Sequence, residues 1–297
     1  MNTITLTSCA KVNLGLRVLR KRPDGFHDVE TILQAIDLRD DIDITRLPGK
    51  TIEVLCDHPE VPSGPENLAH RAARTLQEET SRGEGCRIVI RKRIPPAAGL
   101  GGGSSNAAAT LLGLNQLWNI SLSDHQLVDM AARLGSDVPF FLQGGTALAQ
   151  GRGEILTPLR MRADFCLVLV KPDLSISTAW AYGQMKIPLT SNSKIVKLNS
   201  LKGIDRLDQL LSLLDNDLER AVGEVTPLIA EIKSVLLSKG AIGAAMSGSG
   251  SAVYGIVKDR AAAQQLAIKV RRDRWQVFVV RPIRGCITSG QENSAVR

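Results

Sequence analysis

Aromatic residues are scarce, ten in a chain of 297, and none belongs to a run interleaved with basic residues. The stacking half of a single-strand nucleic-acid surface is therefore missing. Basic residues nevertheless prevail, 37 Lys and Arg against 30 Asp and Glu, for a net charge of +7. Residues 258 to 297 supply +6 of that charge, much of it on an expected surface helix over 259–272, so a solvated face explains it. A positive field that favours small polyanions is the functional counterpart. Histidines number four, far apart, with no metal-ligand spacing. Cysteines stand at 9, 56, 86, 166 and 286, an odd set without a C-x-x-C pair, which reads as reduced and buried or incidental. Long apolar runs are also absent: Phe165 to Val170 is far too short to span a bilayer. Met1 to Ser8 has no basic leader region, and Lys11, Arg17 and Arg20 break any signal-peptide core. A cytoplasmic protein with neither a membrane nor a nucleic-acid partner is expected, with an apolar fraction of 43% sufficient for ordinary cores.

What the chain does have is a junction at Pro95-Pro96-Ala97-Ala98-Gly99-Leu100-Gly101-Gly102-Gly103-Ser104-Ser105-Asn106, running directly into Ala107, Ala108, Leu111, Leu114 and Trp118 at helical spacing. Four glycines let the backbone take positive φ and turn its N–H groups inward, and the following helix aims its positive end at the same point. A bound phosphate is the leading reading and a flexible linker the alternative. No Lys follows Gly103, so the loop is not of the Walker type, and Ser104 and Asn106 stand where a dinucleotide fingerprint needs Gly. The acyl-transfer elbow is absent here and from Met246-Ser247-Gly248-Ser249-Gly250. Hydroxyls at Ser104 and Ser105 can cap the helix, touch phosphate oxygens or ligate Mg2+.

Periodicity places strands over 4–19, 28–37, 41–46 and 86–91, a turn at Arg22-Pro23-Asp24-Gly25, and helices over 67–79, 104–118 and 123–134. A Gly-rich passage over 144–153 reads as the approach to a boundary near residue 160. A second unit opens with a strand over 165–171 and continues through helices near 206–221 and 226–239, a strand over 251–257, a helix, and a strand over 276–280. The expected organisation is residues 1–160, 161–285 and a polar, frayed tail over 286–297, with α/β or α+β layers in both units. Phosphoryl transfer needs a cation and a base near the acceptor hydroxyl. Lys11 and Asp137 suit those roles, although spacing alone favours a solvated edge charge for Lys11 and a helix-end cap for Asp137.

Three ordered segments, Cys9 to Leu14, Pro95 to Ala107 and Met246 to Gly250, resemble the signatures of the GHMP small-molecule kinases. Within that superfamily, Arg22-Pro23-Asp24-Gly25-Phe26-His27, Glu66-Asn67-Leu68, Gly135 to Phe141, Lys171-Pro172 leading to Ser177-Thr178, and Asn216-Asp217-Leu218-Glu219 resemble the branch that acts on a cytidine diphosphate-linked methylerythritol. The resemblance implies a two-domain α+β fold, an N-terminal ribosomal-protein-S5-domain-2-like unit and a C-terminal ferredoxin-like unit, with the active site in the cleft. It implies ATP-dependent phosphorylation of that substrate's 2-hydroxyl in the non-mevalonate route to isoprenoid precursors, by a monomer or homodimer. The alternatives are a kinase for another small alcohol, such as homoserine or mevalonate, or a silent binding protein.

Carried across, Asp137 is the base with Lys11 beside it. ATP lies over Pro95 to Ser105, its adenine near Asn67, Leu68 and Lys92. Asn13, Thr178, Ser247 and Gly248 contact substrate, while Phe26 stacks on the cytosine, His27 reads its edge and Tyr182 covers the opposite face. Mg2+ is implied by the reaction class, with Ser105 as its ligand. Many members have Tyr where this chain has Phe26, and Thr where it has Ser249.

Overall fold

The computed structural model describes residues 2–80, 84–185 and 201–289. Two very long strands open the chain, β1 (Thr3–Lys21) and β2 (His27–Leu47), paired antiparallel around the Arg22–Gly25 turn. They are followed by β3 (Ile52–Cys56), α1 (Leu68–Glu79), β4 (Gly85–Arg91), α2 (Gly102–Leu117), α3 (Asp124–Leu134), α4 (Val138–Gln143), β5 (Thr146–Gln150) and β6 (Ile155–Pro158). Together with β13 (Ile287–Ser289) these strands form a seven-stranded sheet in the order β13-β1-β2-β4-β3, with β5 pairing β2 and β6 pairing β5. Its edge strand β13 comes from the end of the chain.

After β7 (Arg160–Met161) come β8 (Cys166–Pro172), α5 (Thr178–Gly183), β9 (Gly203–Ile204), α6 (Leu207–Ser212), α7 (Asp217–Gly223), α8 (Pro227–Ser238), β10 (Gly243–Met246), β11 (Val253–Val257), α9 (Arg260–Val270) and β12 (Trp275–Val280). A four-stranded antiparallel sheet runs β10-β11-β8-β12. This is the expected α+β architecture in two sheet units. Among the described residues no helix is long and apolar enough to cross a membrane.

Cap chemistry accounts for several boundaries. Ser123 closes a capping box with Gln126 at the start of α3, Asn67 accepts from Ala69 N at the start of α1, and Asp259 accepts from Ala262 N at the start of α9. β1 joins all the cores: Ile4 and Leu6 pack under α1 and α2, Ala10, Val12 and Leu14 between the sheets, Leu16 and Val18 against α7 and α8. At roughly 3.3 Å per residue its 19 residues are long enough for that. The middle of β1, where Lys11 stands, is thereby fixed at the junction of the two units.

Four expectations need correction. The strands predicted over 28–37 and 41–46 are one strand; the apparent break is a β-bulge, because Cys9 pairs with Arg39 and Ala10 with Ile36, leaving Asp37 and Leu38 extra. The Gly-rich passage over 144–153, for which no strand is expected, holds β5, which pairs with β2. The expected polar tail begins as β13 on β1, while 290–297 lie outside the described residues. That pairing also joins Cys9 and Cys286 in a disulfide across 277 residues, where the sequence suggested free thiols. Spacing carries no signal of such a pair, because only the folded register brings the two strands side by side.

Candidate active site

A cavity of about 1160 Å3 opens where the two units meet. Its walls are the whole loop from Pro95 to Ser104, the middle of β1, the turn before α4, the turn at Gly248 and Ser249, and α5. Gly99 and Gly101 hold left-handed φ values of +73° and +72°. Gly99 is also a point of close approach: a Cβ there would lie 2.0 Å from the Ser247 carbonyl oxygen. Gly102 and Gly103 do not share the positive φ expected of them; they are the first residues of α2, which starts two residues earlier than predicted. Glycine there avoids crowding, since a Cβ on Gly102 would meet Lys92 Nζ at 2.9 Å. The free N–H groups of the 16-residue α2 therefore face the cavity without side chains over them.

One buried carboxylate fastens both ends of this loop. Asp40, wholly buried, accepts from Arg93 N at 2.7 Å, Ile94 N at 2.9 Å, Asn106 Nδ2 at 2.9 Å and Lys92 Nζ at 2.5 Å. Residues 92–94 lead into the loop and Asn106 lies on the helix leaving it. Lys92 thus reaches the cavity wall with its charge already paired to Asp40.

Lys11 lies at the centre. Its backbone N–H donates to Leu100 O at 3.0 Å, which pins β1 to the loop. Its side chain, only 5% exposed, donates to Asn13 Oδ1 at 2.6 Å and lies 3.3 Å from Asp137 Oδ2. Lys11 is therefore no solvated edge charge. Asp137 stands at the N-cap of α4 without using its side chain to cap it, and that side chain is 34% exposed to the cavity. A carboxylate free of capping, beside a buried ammonium and a glycine-rich loop, can accept a proton from a hydroxyl placed among them.

Asn13 and Gly248 complete this end. The Asn13 amide donates to Thr31 Oγ1 at 2.8 Å, and Thr31 donates in turn to Gly15 O, so Asn13 is oriented toward Lys11. Tyr254, buried in β11, donates to the Asn13 carbonyl at 2.8 Å. Gly248, at φ +55°, lies against both side chains: a Cβ would be 3.0 Å from Asn13 Oδ1 and 3.4 Å from Lys11 Nζ. Asn216 holds this turn by donating to Met246 O and Gly248 O, while Glu219 accepts from Met246 N.

The far end is aromatic. His27 and Tyr182 stack with centroids 4.8 Å apart and planes 21° off parallel. Phe26 is 52% exposed, with the Arg152 guanidinium 5.0 Å above its ring. The sequence reading put Phe26 and Tyr182 on opposite faces of a base with His27 at its edge; here the Tyr182 face is taken by His27 and the Phe26 face by Arg152. Flat side chains left at a rim cover one another's apolar faces. Burial, then the Lys21 charge, hold the His27 pKa below its ordinary value. Burial, then the Asp137 charge, push the Tyr182 hydroxyl up. Thr178 reaches Ser249 Oγ at 3.2 Å and lines the same wall.

Some expected site residues are otherwise engaged. Ser105 lies outside the cavity wall, wholly buried with its hydroxyl unpartnered, because one more residue along α2 turns the side chain into the core. It cannot serve as the metal ligand there; Ser104 is the hydroxyl at the wall. Ser247 is buried too, donating to Gly99 O and accepting from Asn13 N, so it ties the two glycine turns together rather than facing a ligand. Asn67 lines the cavity but spends its amide on Ala69 N and Pro62 O, leaving Leu68 as the free contact beside Gly103. Asp40, Arg152 and Tyr254 were missed by sequence reasoning. Only Arg152, a basic residue between glycines, left a signal there.

The chain matches the models "GHMP kinases N terminal domain" over residues 67–145 and "GHMP kinases C terminal" over 194–275. It is 44% identical, over 94% of both chains, to a 4-diphosphocytidyl-2-C-methyl-D-erythritol kinase of Gloeobacter violaceus. A protein of the same name from Geobacter sp. is 43% identical over 95% of this chain and 100% of its own. Among solved structures, a 4-(cytidine 5'-diphospho)-2C-methyl-D-erythritol kinase superposes with a TM-score of 0.77 at 31% identity, over 94% of this chain and 99% of the other. A homoserine kinase from Cytophaga hutchinsonii shares the fold, with a TM-score of 0.76 at 19% identity over 97% and 98%.

Proposed function

The chain belongs to the GHMP kinases, and within them to the 4-diphosphocytidyl-2-C-methyl-D-erythritol kinases, and from that membership we propose how its cleft performs the transfer. The reaction moves the γ-phosphoryl group of ATP to the 2-hydroxyl of 4-diphosphocytidyl-2-C-methyl-D-erythritol, in the non-mevalonate route to isoprenoid precursors. Phosphoryl transfer is mostly positioning and charge stabilisation. The triphosphate lies along Pro95 to Ser104, its oxygens met by N–H groups of the glycine turns and of the start of α2. Leu68 supplies an apolar face for the adenine, and Lys92 closes that side.

Asp137 takes the hydroxyl proton on its carboxylate as the oxygen attacks. Lys11, held by Asn13, keeps one donor on Asp137 and offers another to the reacting oxygen, stabilising the charge that develops there. The observation that carries this reading is the 3.3 Å approach of Lys11 Nζ to Asp137 Oδ2 on the cavity wall beside the glycine turns. Among the described residues no group of three or more His, Cys, Asp or Glu is placed to hold a metal ion. The donor set instead fits Mg2+ carried on the phosphates, which Ser104 Oγ at the cavity wall would help hold. Such an ion would offset the negative charge of the triphosphate. Phe26, His27 and Tyr182 receive the cytosine through ring faces and the imidazole edge. The work is done in the cytoplasm, where ATP is at hand.

Purified protein with Mg-ATP, offered the cytidylylated methylerythritol, mevalonate and homoserine in parallel, should release ADP with the first alone. Faster turnover of either other alcohol would sink this reading.

A further inference from the structure

We propose that Arg152 grips the diphosphate bridge of the substrate and so enforces a cytidine diphosphate rather than a bare nucleoside. The proposal rests on the function proposed above. In the substrate the covalent order is base, ribose, two phosphates, then the carbon chain bearing the reacting hydroxyl. With cytosine at Phe26 and the hydroxyl at Asp137, the diphosphate must cross the space between these residues.

Arg152 stands there. It occupies the tight turn joining β5 to β6, where Gly153 N donates to Gln150 O at 3.0 Å and Val29 N donates to Gly151 O at 2.7 Å, so the turn is fixed to β2. The guanidinium lies 5.0 Å from the Phe26 ring centroid. The next residue, Gly153, abuts the neighbour of Asp137: a Cβ on it would lie 3.6 Å from Ser136 Cβ. One turn therefore touches both the base end and the reacting end.

The other cations on the cavity wall are committed or misplaced. Lys11 is held by Asn13 and Asp137, and Lys92 by Asp40. Lys21 pairs across the hairpin with His27 at its outer end, away from Asp137. Arg152 does have acidic neighbours. Its Nε lies 3.6 Å from Glu154 Oε1, its backbone N–H donates to Glu154 Oε2 at 2.7 Å, and its charge helps lower the Asp24 pKa. Yet neither Nη makes a hydrogen bond to a described residue. The two Nη groups of a planar fork, with no hydrogen bond to a described residue and a ring at one side, match paired phosphate oxygens.

The experiment is calorimetric binding of cytidine and of CDP to the whole protein, wild type against Arg152→Gln and Arg152→Lys. Wild type should bind CDP more tightly than cytidine. Arg152→Gln should lose about tenfold or more in CDP affinity while keeping that for cytidine, and Arg152→Lys should recover part of the loss. In turnover, Arg152→Gln should raise KM for the cytidylylated substrate and leave KM for ATP unchanged. Equal weakening of cytidine and CDP would show that Arg152 acts only through the Phe26 ring and would overturn the proposal, as would a wild type with no preference for CDP. A wild type that fails to phosphorylate the cytidylylated substrate would instead defeat the function itself, an outcome read independently of the variants.

Discussion

The two ends of the cavity are built on opposite rules. Around Lys11 and Asp137 polar groups are held by partners that are themselves held: Lys11 by Asn13, Asn13 by Thr31, the loop by Asp40, the facing turn by Asn216. Around Phe26, His27 and Tyr182 the hold is one ring stack and one guanidinium above a half-exposed ring. Charge stabilisation depends on donors placed before the reaction begins, in a site that excludes water. Base recognition depends on flat surfaces that can be uncovered, and its energy is spread over area. One end should therefore fail sharply when altered, and the other by degrees.

The sharpest failure belongs to the proposed base. Asp137→Asn should cut kcat by about 10^2- to 10^4-fold while ATP still binds, as measured by steady-state turnover and nucleotide titration. An active variant would remove Asp137 from that role. Next is the clamp beneath the loop. Asp40→Ala leaves the Lys92 ammonium buried and unpaired, at a cost of about 3–5 kcal/mol in unfolding free energy by denaturant titration. A loss below about 1 kcal/mol would mean that the loop does not depend on this carboxylate.

At the aromatic end effects should be smaller and confined to one substrate. Tyr182→Ala should raise KM for the cytidine substrate by roughly five- to a hundredfold, the worth of about 1–3 kcal/mol of base stacking, and leave kcat largely intact. A matching drop in kcat would erase the contrast between the two ends. The mildest effect is that of pH. Because the folded pKa of His27 lies below its unfolded value, the neutral ring is favoured, and its contribution is present above the unfolded value and lost as pH falls through the folded one. KM for the cytidine substrate should then be flat from neutral pH down to about 6.5 and rise only below it. A rise already between about pH 7 and 8 would show that His27 is charged in the free enzyme.

Much of the reacting end was legible because its chemistry is local. Glycines running into Ala and Leu at helical spacing mark a loop and a helix start, and the period of two puts Lys11 and Asn13 on one face of β1. The other misses share one cause. Asp40 looked like a break between two strands, since a bulge and a turn look alike in sequence. Ser104 and Ser105 are chemically identical neighbours, and only the phase of α2 decides which faces the cavity. At the aromatic end the sequence carries no sign that His27 stacks on Tyr182 or that Arg152 lies over Phe26, because these pairs join separate elements.

By itself the sequence determined the element types, the glycine-rich loop from Pro95 to Ser104 that runs into a helix, and the residue types available for proton transfer. These follow from backbone freedom, periodicity and side-chain chemistry, all properties of neighbours along the chain. The tertiary structure alone decided that Lys11 meets Asp137 across 126 positions, that Asp40 fastens both ends of the loop, and that Cys9 lies against Cys286. Those pairings depend on strand register and on packing between sheets, which no local pattern encodes.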